Sequence, residues 1–216
     1  MKTAVLVDGG FYRKRAQSKL GDISPIERAR ELNGYCYKHL SQPDKSSELY
    51  RIFYYDCYPM DKKLFHPYLR KQIDFAKTDL YTWMSEFLNE LKKKRKFALR
   101  MGKLADAQAH YTIRYDILKK LCNGSITLTD LKEEDFMLKV DQKGVDMKIG
   151  LDIASLAYKK QVNKIVLISG DSDFVPAAKL ARREGIDFIL DPLYSPIKDD
   201  LFEHIDGLKT CETRFK

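Results

Sequence analysis

The chain has 216 residues, of which 44% are hydrophobic, and a formal net charge of +8 at pH 7. This length supports one substantial core, so we expect a single domain over residues 1–216, and no apolar run approaches the roughly 20 residues that cross a bilayer. The positive charge favours polyanionic partners, because contacts of Lys and Arg with phosphates release condensed counterions.

The sequence gives no sign of secretion and no sign of a cysteine-based metal or redox site. The apolar run of residues 4–7 ends at Asp8 and is too short for the core of a signal peptide. The cysteines lie far apart with no C-x-x-C pair, which argues against a zinc ribbon or a thioredoxin-like site. We therefore expect a cytoplasmic protein with reduced thiols and no membrane partner.

The first half of the chain predicts two strands. Residues 3–7 form a short β-prone run that ends in Asp8-Gly9-Gly10, which is typical of a buried strand opening into a tight turn, and a helix is expected next. A run rich in aromatic and β-branched residues predicts a second strand at about residues 51–55.

The middle of the chain is less regular. Apolar residues recur at three- and four-residue steps over residues 73–91 and predict an amphipathic helix. A basic run at residues 92–96 follows, and residues 97–104 alternate as in a strand. Residues 103–135 give no prediction of their own, and we expect a helical insertion at about residues 60–135.

The last third predicts a βαβ unit preceded by a helix. The helix covers residues 144–160, and the unit consists of a strand at 164–169, a helix at 174–184 closed by Gly185, and a strand at 187–190. A βαβ unit implies a parallel sheet covered by helices. The fold class is therefore predicted to be α/β.

Acidic residues follow the predicted strands. In an open parallel sheet, ligands bind beyond the carboxyl ends of the strands. Asp8 follows the first strand, and Asp171 and Asp173 follow the strand of residues 164–169. Asp146 lies at the start of a predicted helix, from which it can lean toward the strand ends. Separate segments thus bring acids to one predicted edge.

Each acid also has a structural interpretation. Asp8 before a glycine is typical of a turn, and Asp146 suits a first helical turn because of the helix dipole. Asp171 or Asp173 can cap the helix that follows them, and for Asp173 we expect this role in any case. The functional interpretation depends on the combination of these acids.

A cation would reconcile several carboxylates at one place. Neighbouring carboxylates repel one another, and some take up a proton unless a cation holds them. Oxygen ligands without His or Cys favour Mg²⁺ or Mn²⁺ over zinc. Such ions generate hydroxide and neutralise phosphate charge during phosphodiester hydrolysis.

The segments that carry these acids match a known family. They are residues 5–12 (Val-Leu-Val-Asp-Gly-Gly-Phe-Tyr), residues 143–146 (Lys-Gly-Val-Asp) and residues 169–174 (Ser-Gly-Asp-Ser-Asp-Phe). In sequence and order they resemble the NYN domain family, specifically its bacterial LabA-like branch, within the PIN-like nuclease superfamily. The resemblance implies a Rossmann-like, PIN-like three-layer fold with a mostly parallel central sheet.

The resemblance also implies a ribonuclease site that depends on Mg²⁺ or Mn²⁺. Carried over residue by residue, its catalytic and metal-binding residues would be Asp8, Asp146, Asp171 and Asp173. Supporting residues would be Asp152, Ser169 and Ser172. Because Asp152 lies about 240° around the helix from Asp146, we rank it as a supporting or structural acid.

RNA, preferably single-stranded, is the partner that this resemblance and the positive charge suggest. The candidates for holding its backbone are Arg13, Lys14, Arg15, Lys143 and Lys148. A solvated helix face is the alternative interpretation of the first three. The sequence does not identify the RNA target. It also leaves the oligomeric state open, and a homo-oligomer is one possibility.

One departure from the family bears on catalysis. Many members have Asn three residues after the first Asp, whereas this chain has Phe11, which cannot bind a metal or a phosphate. An endoribonuclease is the leading hypothesis. Because of Phe11, a regulatory RNA-binding module with weak or absent catalysis is the second hypothesis. A phosphatase ranks third, because Gly170 separates Asp171 from the end of its strand.

Overall fold

The computed structural model describes residues 1–40 and 47–216. The strands within this part of the chain are β1 (Lys2–Asp8), β2 (Glu48–Cys57), β3 (Lys63–His66), β4 (Lys71–Asp74), β5 (Phe97–Leu104), β6 (His110–Ile113), β7 (Phe136–Lys139), β8 (Gln142–Lys143), β9 (Lys164–Ile168), β10 (Asp187–Asp191) and β11 (Gly207–Leu208). The α-helices are α1 (Gly9–Leu20), α2 (Pro25–Lys38), α3 (Asp79–Lys92), α4 (Tyr115–Cys122), α5 (Val145–Tyr158), α6 (Val175–Arg183) and α7 (Asp199–Phe202).

A mostly parallel sheet forms the centre of the molecule. Among the described residues it has seven strands in the order β11-β10-β9-β1-β2-β5-β8. Every neighbouring pair is parallel except β5 and β8, which are antiparallel. The predicted α/β class with a mostly parallel sheet is therefore confirmed.

Helices cover both faces of this sheet. Ala4 and Leu6 of β1 face a core shared with α5 and α6. Val5 and Val7 face the opposite core, shared with α1, α2 and α3. A strand that is buried on both faces needs apolar side chains on both, which explains the continuous apolar run of residues 4–7. The expected three-layer arrangement is confirmed.

The prediction of a helix over residues 73–91 was wrong at its start. Ile73 lies in β4, which pairs with β3, and Phe75–Lys77 form a 3-10 turn. The α-helix begins only at Asp79, because the Thr78 hydroxyl accepts a hydrogen bond from the Tyr81 amide and caps the helix there. The apolar spacing continued across this boundary and concealed it.

The segment of residues 60–135 combines several kinds of structure. It holds α3 and α4, the β3–β4 pair, the sheet strand β5, and β6, which pairs with β7 just beyond the segment. Our division of the chain into one domain over residues 1–216 with a helical insertion stays a prediction.

None of the helices in the described ranges combines the length and apolarity that a bilayer crossing requires.

The turn from β1 into α1 is closely packed. A Cβ atom added at Gly9 would lie 2.5 Å from the Cζ and Oη atoms of Tyr54 and 2.7 Å from Oδ2 of Asp56. Tyr54 and Asp56 are fully buried in the neighbouring strand and cannot turn out into solvent. Glycine therefore lets α1 begin against β2 directly after Asp8.

We expect Gly9→Ala to lower the free energy of unfolding by about 1–3 kcal/mol, because the added methyl group overpacks a buried site. Gly150→Ala is the matched control, since Gly150 also lies in a helix but a Cβ there meets no atom within 4 Å. This control should gain up to about 1 kcal/mol from its higher helix propensity. Urea denaturation followed by circular dichroism measures both, and equal stability of the two variants would contradict the packing argument.

Candidate active site

Acids stand at the carboxyl ends of four neighbouring parallel strands. β1 ends at Asp8, the last residues of β2 include Asp56, β10 ends at Asp191, and β9 is followed closely by Asp171. Because these strands run in the same direction, the acids lie along one edge of the sheet. Two of them, Asp56 and Asp191, are fully buried, whereas Asp8 and Asp171 line a surface cleft.

Asp8 is held in place from both sides. Its Oδ1 accepts a hydrogen bond from the Phe11 amide at 3.0 Å and so caps α1. Its Oδ2 accepts one from the buried Ser169 hydroxyl at 3.2 Å, which links the ends of β1 and β9. Burial raises the pKa of Asp8 despite these hydrogen bonds, and the negative charges of Asp146 and Asp56 raise it further.

Asp146 lies close enough to the turn after β9 for the acids of that turn to shift its pKa. Burial is the largest cause of its raised pKa, followed by the negative charges of Asp171 and Asp173. The turn itself is fixed by the Asp171 amide, which donates to the Ser169 hydroxyl oxygen at 3.3 Å. Acids from β1, from α5 and from the turn after β9 therefore share one electrostatic environment.

The predicted capping role of Asp173 was wrong. It is Asp171 whose Oδ1 accepts a hydrogen bond from the Asp173 amide at 3.0 Å and caps the 3-10 turn Ser172–Phe174. Helix α6 then continues from that turn, with Phe174 at its N-cap and no side-chain cap. The chain enters the helix through a tighter turn than the sequence suggested, which moves the capping position two residues earlier.

The acids line an open cleft of about 460 Å³ at this edge of the sheet. Of the residues predicted for the site, the cleft brings together Asp8, Lys14, Asp146, Ser169 and Asp171. Further lining residues, which the sequence did not suggest, are Gln142 and Ser195. Asp173 is exposed and is not among the lining residues, but its negative charge raises the pKa of Asp146.

The chemistry of these donors fits a hard divalent cation. Oxygen atoms are offered by Asp8, Asp146, Asp171, Ser169 and Gln142, and burial together with neighbouring negative charges raises the pKa values of Asp8 and Asp146. Within the described residues, no three Asp, Glu, His or Cys side chains form a ready-made metal cage. Mg²⁺ does not need one, because it keeps several waters and binds one or two carboxylates directly.

Comparison with known proteins places the chain in a family. The family model described as "NYN domain" matches residues 59–196, which is more than half of the chain. The chain belongs to the NYN domain family. This family is part of the PIN-like nuclease superfamily, which points to ribonuclease function and to the use of divalent metals. The match includes Asp146, Asp171 and Asp173 and begins after Asp8.

Other comparisons add little. Among solved structures, the chain is similar to a protein of unknown function from Vibrio parahaemolyticus RIMD 2210633, with 14% identity, 99% of this chain and 94% of that chain covered, and a TM-score of 0.48. At this identity and score the likeness carries no argument. No curated protein matches the chain significantly.

Two of the basic residues predicted to bind RNA make contacts inside the protein. Arg13 donates from Nε and Nη2 to Asp56 at 2.9 and 3.1 Å, in a bidentate ion pair. Arg15 donates to the backbone oxygens of Leu193 and Phe215. Of the three basic residues in a row, only Lys14 lines the acidic cleft in the described part of the chain. Lys143 and Lys148 are exposed on either side of the first turn of α5.

Asp152 lies apart from the other motif acids. Its Oδ2 accepts hydrogen bonds from the Tyr55 hydroxyl at 2.8 Å and from Arg100 Nε at 3.0 Å. It lines a different surface pocket, together with Arg100 and residues of β2. These contacts tie α5 to β2 and β5, which gives Asp152 a role in holding α5 on the sheet.

The sequence analysis missed two buried acids of the same edge. Asp56 accepts hydrogen bonds from Arg13, from the Tyr54 hydroxyl and from the Cys57 amide. Asp191 binds the hydroxyls of Tyr35 and Thr210, the ring of His39 and the amide of Leu193. Both lie at or near the carboxyl end of a buried strand, as Asp8 does. An acid at the end of a predicted strand is therefore the sequence signal by which they could have been identified. Arg13 and the Tyr35 hydroxyl reach these two acids from distant parts of the chain, and Arg13 also offsets the charge of Asp56.

Phe11 forms one wall of the cleft. A Cβ atom at Gly170 would lie 2.9 Å from Cε2 of the Phe11 ring, so the ring rests directly on the glycine backbone. Glycine at this position makes room for the aromatic side chain. The wall next to Asp8 and Asp171 is therefore apolar.

We expect Asp8→Asn to raise the melting temperature at pH 7 in the presence of EDTA. Asp8 has a raised pKa, so the folded state keeps this proton to higher pH than the unfolded chain does. Its ionisation therefore destabilises the fold as the pH rises above the ordinary value of 3.8. Asparagine keeps the capping oxygen and carries no charge.

The advantage of Asp8→Asn should shrink as the pH falls below that ordinary value, because Asp8 is then neutral in both states. Thermal melts at a series of pH values measure the difference in melting temperature between the variant and the unaltered protein. The control is Asp116→Asn, because Asp116 is an exposed acid that pairs with Arg114. An advantage of the same size at every pH would show that charge is not its cause.

Proposed function

We propose that this NYN domain is a divalent-metal-dependent endoribonuclease of the LabA-like type that hydrolyses phosphodiester bonds of single-stranded RNA. The observation that carries the proposal is the cleft in which Asp8, Asp146 and Asp171 meet, contributed by three separate segments. The membership in a nuclease superfamily supports the same reaction.

The metal would be Mg²⁺ or Mn²⁺, held by water and directly by one or two of Asp8, Asp146 and Asp171, with the charge of Asp173 nearby. When bound, such an ion neutralises charge on the scissile phosphate and lowers the pKa of a water that attacks it. Burial is the main cause of the raised pKa values of Asp8 and Asp146, and repulsion from neighbouring acids adds to it. A bound cation would offset both effects, because it favours the charged form of these carboxyls.

Neighbouring residues of the chain would position these acids. The Ser169 hydroxyl donates to Asp8 and accepts from the Asp171 amide, so a single buried side chain sets the spacing between two of the acids. Ser172 lies in the turn that Asp171 caps. The Phe11 amide fixes the other oxygen of Asp8. The site would thus be organised before the substrate arrives.

Lys14 is the basic residue best placed to hold a phosphate of the RNA, since it lines the cleft beside Asp8. Lys143 and Lys148 would contact the backbone farther out, because both are exposed around the first turn of α5. Arg13 and Arg15 would act indirectly, through the contacts that hold α1 in place.

The second candidate function is an RNA-binding module with weak or absent catalysis, and the apolar wall formed by Phe11 on Gly170 favours it. Salt-sensitive RNA binding without cleavage over a full range of Mg²⁺ and Mn²⁺ concentrations would decide for this alternative. Cleavage that EDTA abolishes would decide against it.

We expect Asp171→Asn to lower the rate of RNA cleavage roughly 100-fold or more, because it removes one negative charge from the proposed cation site. The fold should persist, since asparagine keeps the oxygen that accepts from the Asp173 amide. Cleavage of a fluorescently labelled single-stranded RNA measures the rate. Asp116→Asn, the same change on an exposed acid in α4, should cleave like the unaltered protein. Metal-dependent cleavage that survives in Asp171→Asn would refute the assignment.

A second prediction concerns metal binding itself, without a catalytic readout. Mn²⁺ at about 100 times its dissociation constant stabilises the folded state by about 2.7 kcal/mol, which raises the melting temperature of a chain of this size by roughly 5–10 °C. Asp146→Asn should lose most of this rise, whereas Asp116→Asn should keep it. An equal rise in all three proteins, measured by differential scanning fluorimetry, would place the ion elsewhere.

A further inference from the structure

A second cleft of about 500 Å³ lies on the other side of α1 from the acids. It is formed by α1, by the start of α2 with the loop before it, and by the first turns of α3. The lining residues that matter here are Arg13, Gln17, Ile23, Arg28, Leu80 and Trp83. Its volume lies within the range of small-molecule sites, which span about 300–1,000 Å³.

The apolar wall of this cleft is rigid and partly exposed. The Trp83 ring stacks on Phe87 with centroids 5.1 Å apart and planes inclined by 20°. Its Nε1 donates to the Ile23 backbone oxygen at 3.0 Å, which fixes the ring in its plane. Leu80 beside it is 65% exposed, although it is a large apolar side chain. A fixed aromatic ring with an exposed apolar neighbour suits a flat, partly apolar ligand.

The polar rim of the cleft carries groups of both signs. Arg13 and Arg28 are each held by an acid outside the cleft, Asp56 and Glu31 respectively. Asp22 and Asp79 also line it and offer carboxylate oxygens. A phosphate would meet repulsion from these carboxylates. A nucleobase would not, since its edge combines amino groups that donate with oxygens and ring nitrogens that accept.

The two clefts are connected along α1. Lys14 lines the acidic cleft, and Arg13 and Gln17 line the second one. Between them lies a cavity of about 160 Å³ that shares Gln142 with the acidic cleft and Arg13 with the second. Along a helix that rises about 1.5 Å per residue, the distance from Gly10 to Gln17 is about 10 Å. A strand held at the acids therefore reaches the second cleft within a short run of nucleotides.

We propose that this Trp83 cleft binds a base of single-stranded RNA whose backbone passes through the acidic cleft. The proposal rests on the proposed function for the identity of the substrate. It adds a base-binding subsite that would require unpaired RNA, because a base enters the cleft only when it is not paired with another strand.

Trp83 provides a direct readout, since it is the single tryptophan of the chain. A short single-stranded oligoribonucleotide titrated in EDTA should quench its fluorescence to saturation. An abasic oligomer of the same length keeps the phosphates but lacks the bases. It should bind roughly tenfold more weakly and leave Trp83 fluorescence largely unchanged.

Leu80→Glu tests the wall of the cleft. Leu80 is largely exposed, so the change should leave the fold intact, and the added carboxylate should weaken binding of the oligoribonucleotide roughly tenfold. Leu128→Glu is the matched control, because Leu128 is 75% exposed and lies outside this cleft. Its affinity should equal that of the unaltered protein.

The outcomes separate this proposal from the nuclease itself. Quenching that discriminates against the abasic oligomer and survives in Asp171→Asn supports the Trp83 cleft, even if no cleavage is found. Equal affinity for both oligomers, unchanged Trp83 fluorescence on RNA binding, or full affinity of Leu80→Glu would each overturn it, even if cleavage depends on Asp171.

Discussion

Mutual repulsion of carboxylates at one edge of a parallel sheet is the constraint to which the rest of this structure responds. Four adjacent strands bring acids to that edge, and each acid needs something to offset its charge. Asp56 has Arg13, and Asp191 has hydrogen-bond partners from α2, from Leu193 and from Thr210. Asp8 and Asp171 face the cleft and have only neutral donors among the described residues. This division leaves excess negative charge in the cleft, which the proposed metal ion would offset.

Helix α1 links this electrostatic arrangement to recognition of the substrate. It starts at the residue after Asp8, because Gly9 lets it approach β2 closely. One side of the helix presents Lys14 to the acids, while another presents Arg13 and Gln17 to the Trp83 cleft. The ion pair of Arg13 with Asp56 therefore fixes the helix that separates the two clefts. Catalysis and base binding, as proposed, depend on one element.

Much of the fold follows from local patterns, because strands buried on both faces and a βαβ spacing leave few alternatives. The strand around the continuous apolar run of residues 4–7 and the strand at 164–169 were predictable on that basis. The start of α3 was not, because apolar residues at helical spacing begin before the helix does. The boundary is set by one side chain, the Thr78 hydroxyl that caps the helix. The convergence of Asp8 with Asp171 was inferable from strand ends. The commitment of Arg13 and Arg15 to internal partners was not, because those partners are remote in sequence.

The contact of Arg15 with the final residues of the chain affects how the protein can be handled. Arg15 lies in the helix that follows Asp8 and donates to the backbone oxygen of Phe215, a side chain that is itself buried against Tyr35. Removing the last few residues would leave Arg15 only the Leu193 backbone oxygen as an acceptor and would uncover the Tyr35 ring on which Phe215 packs. A truncation or a tag at Phe215 would therefore weaken one anchor of the helix that follows Asp8.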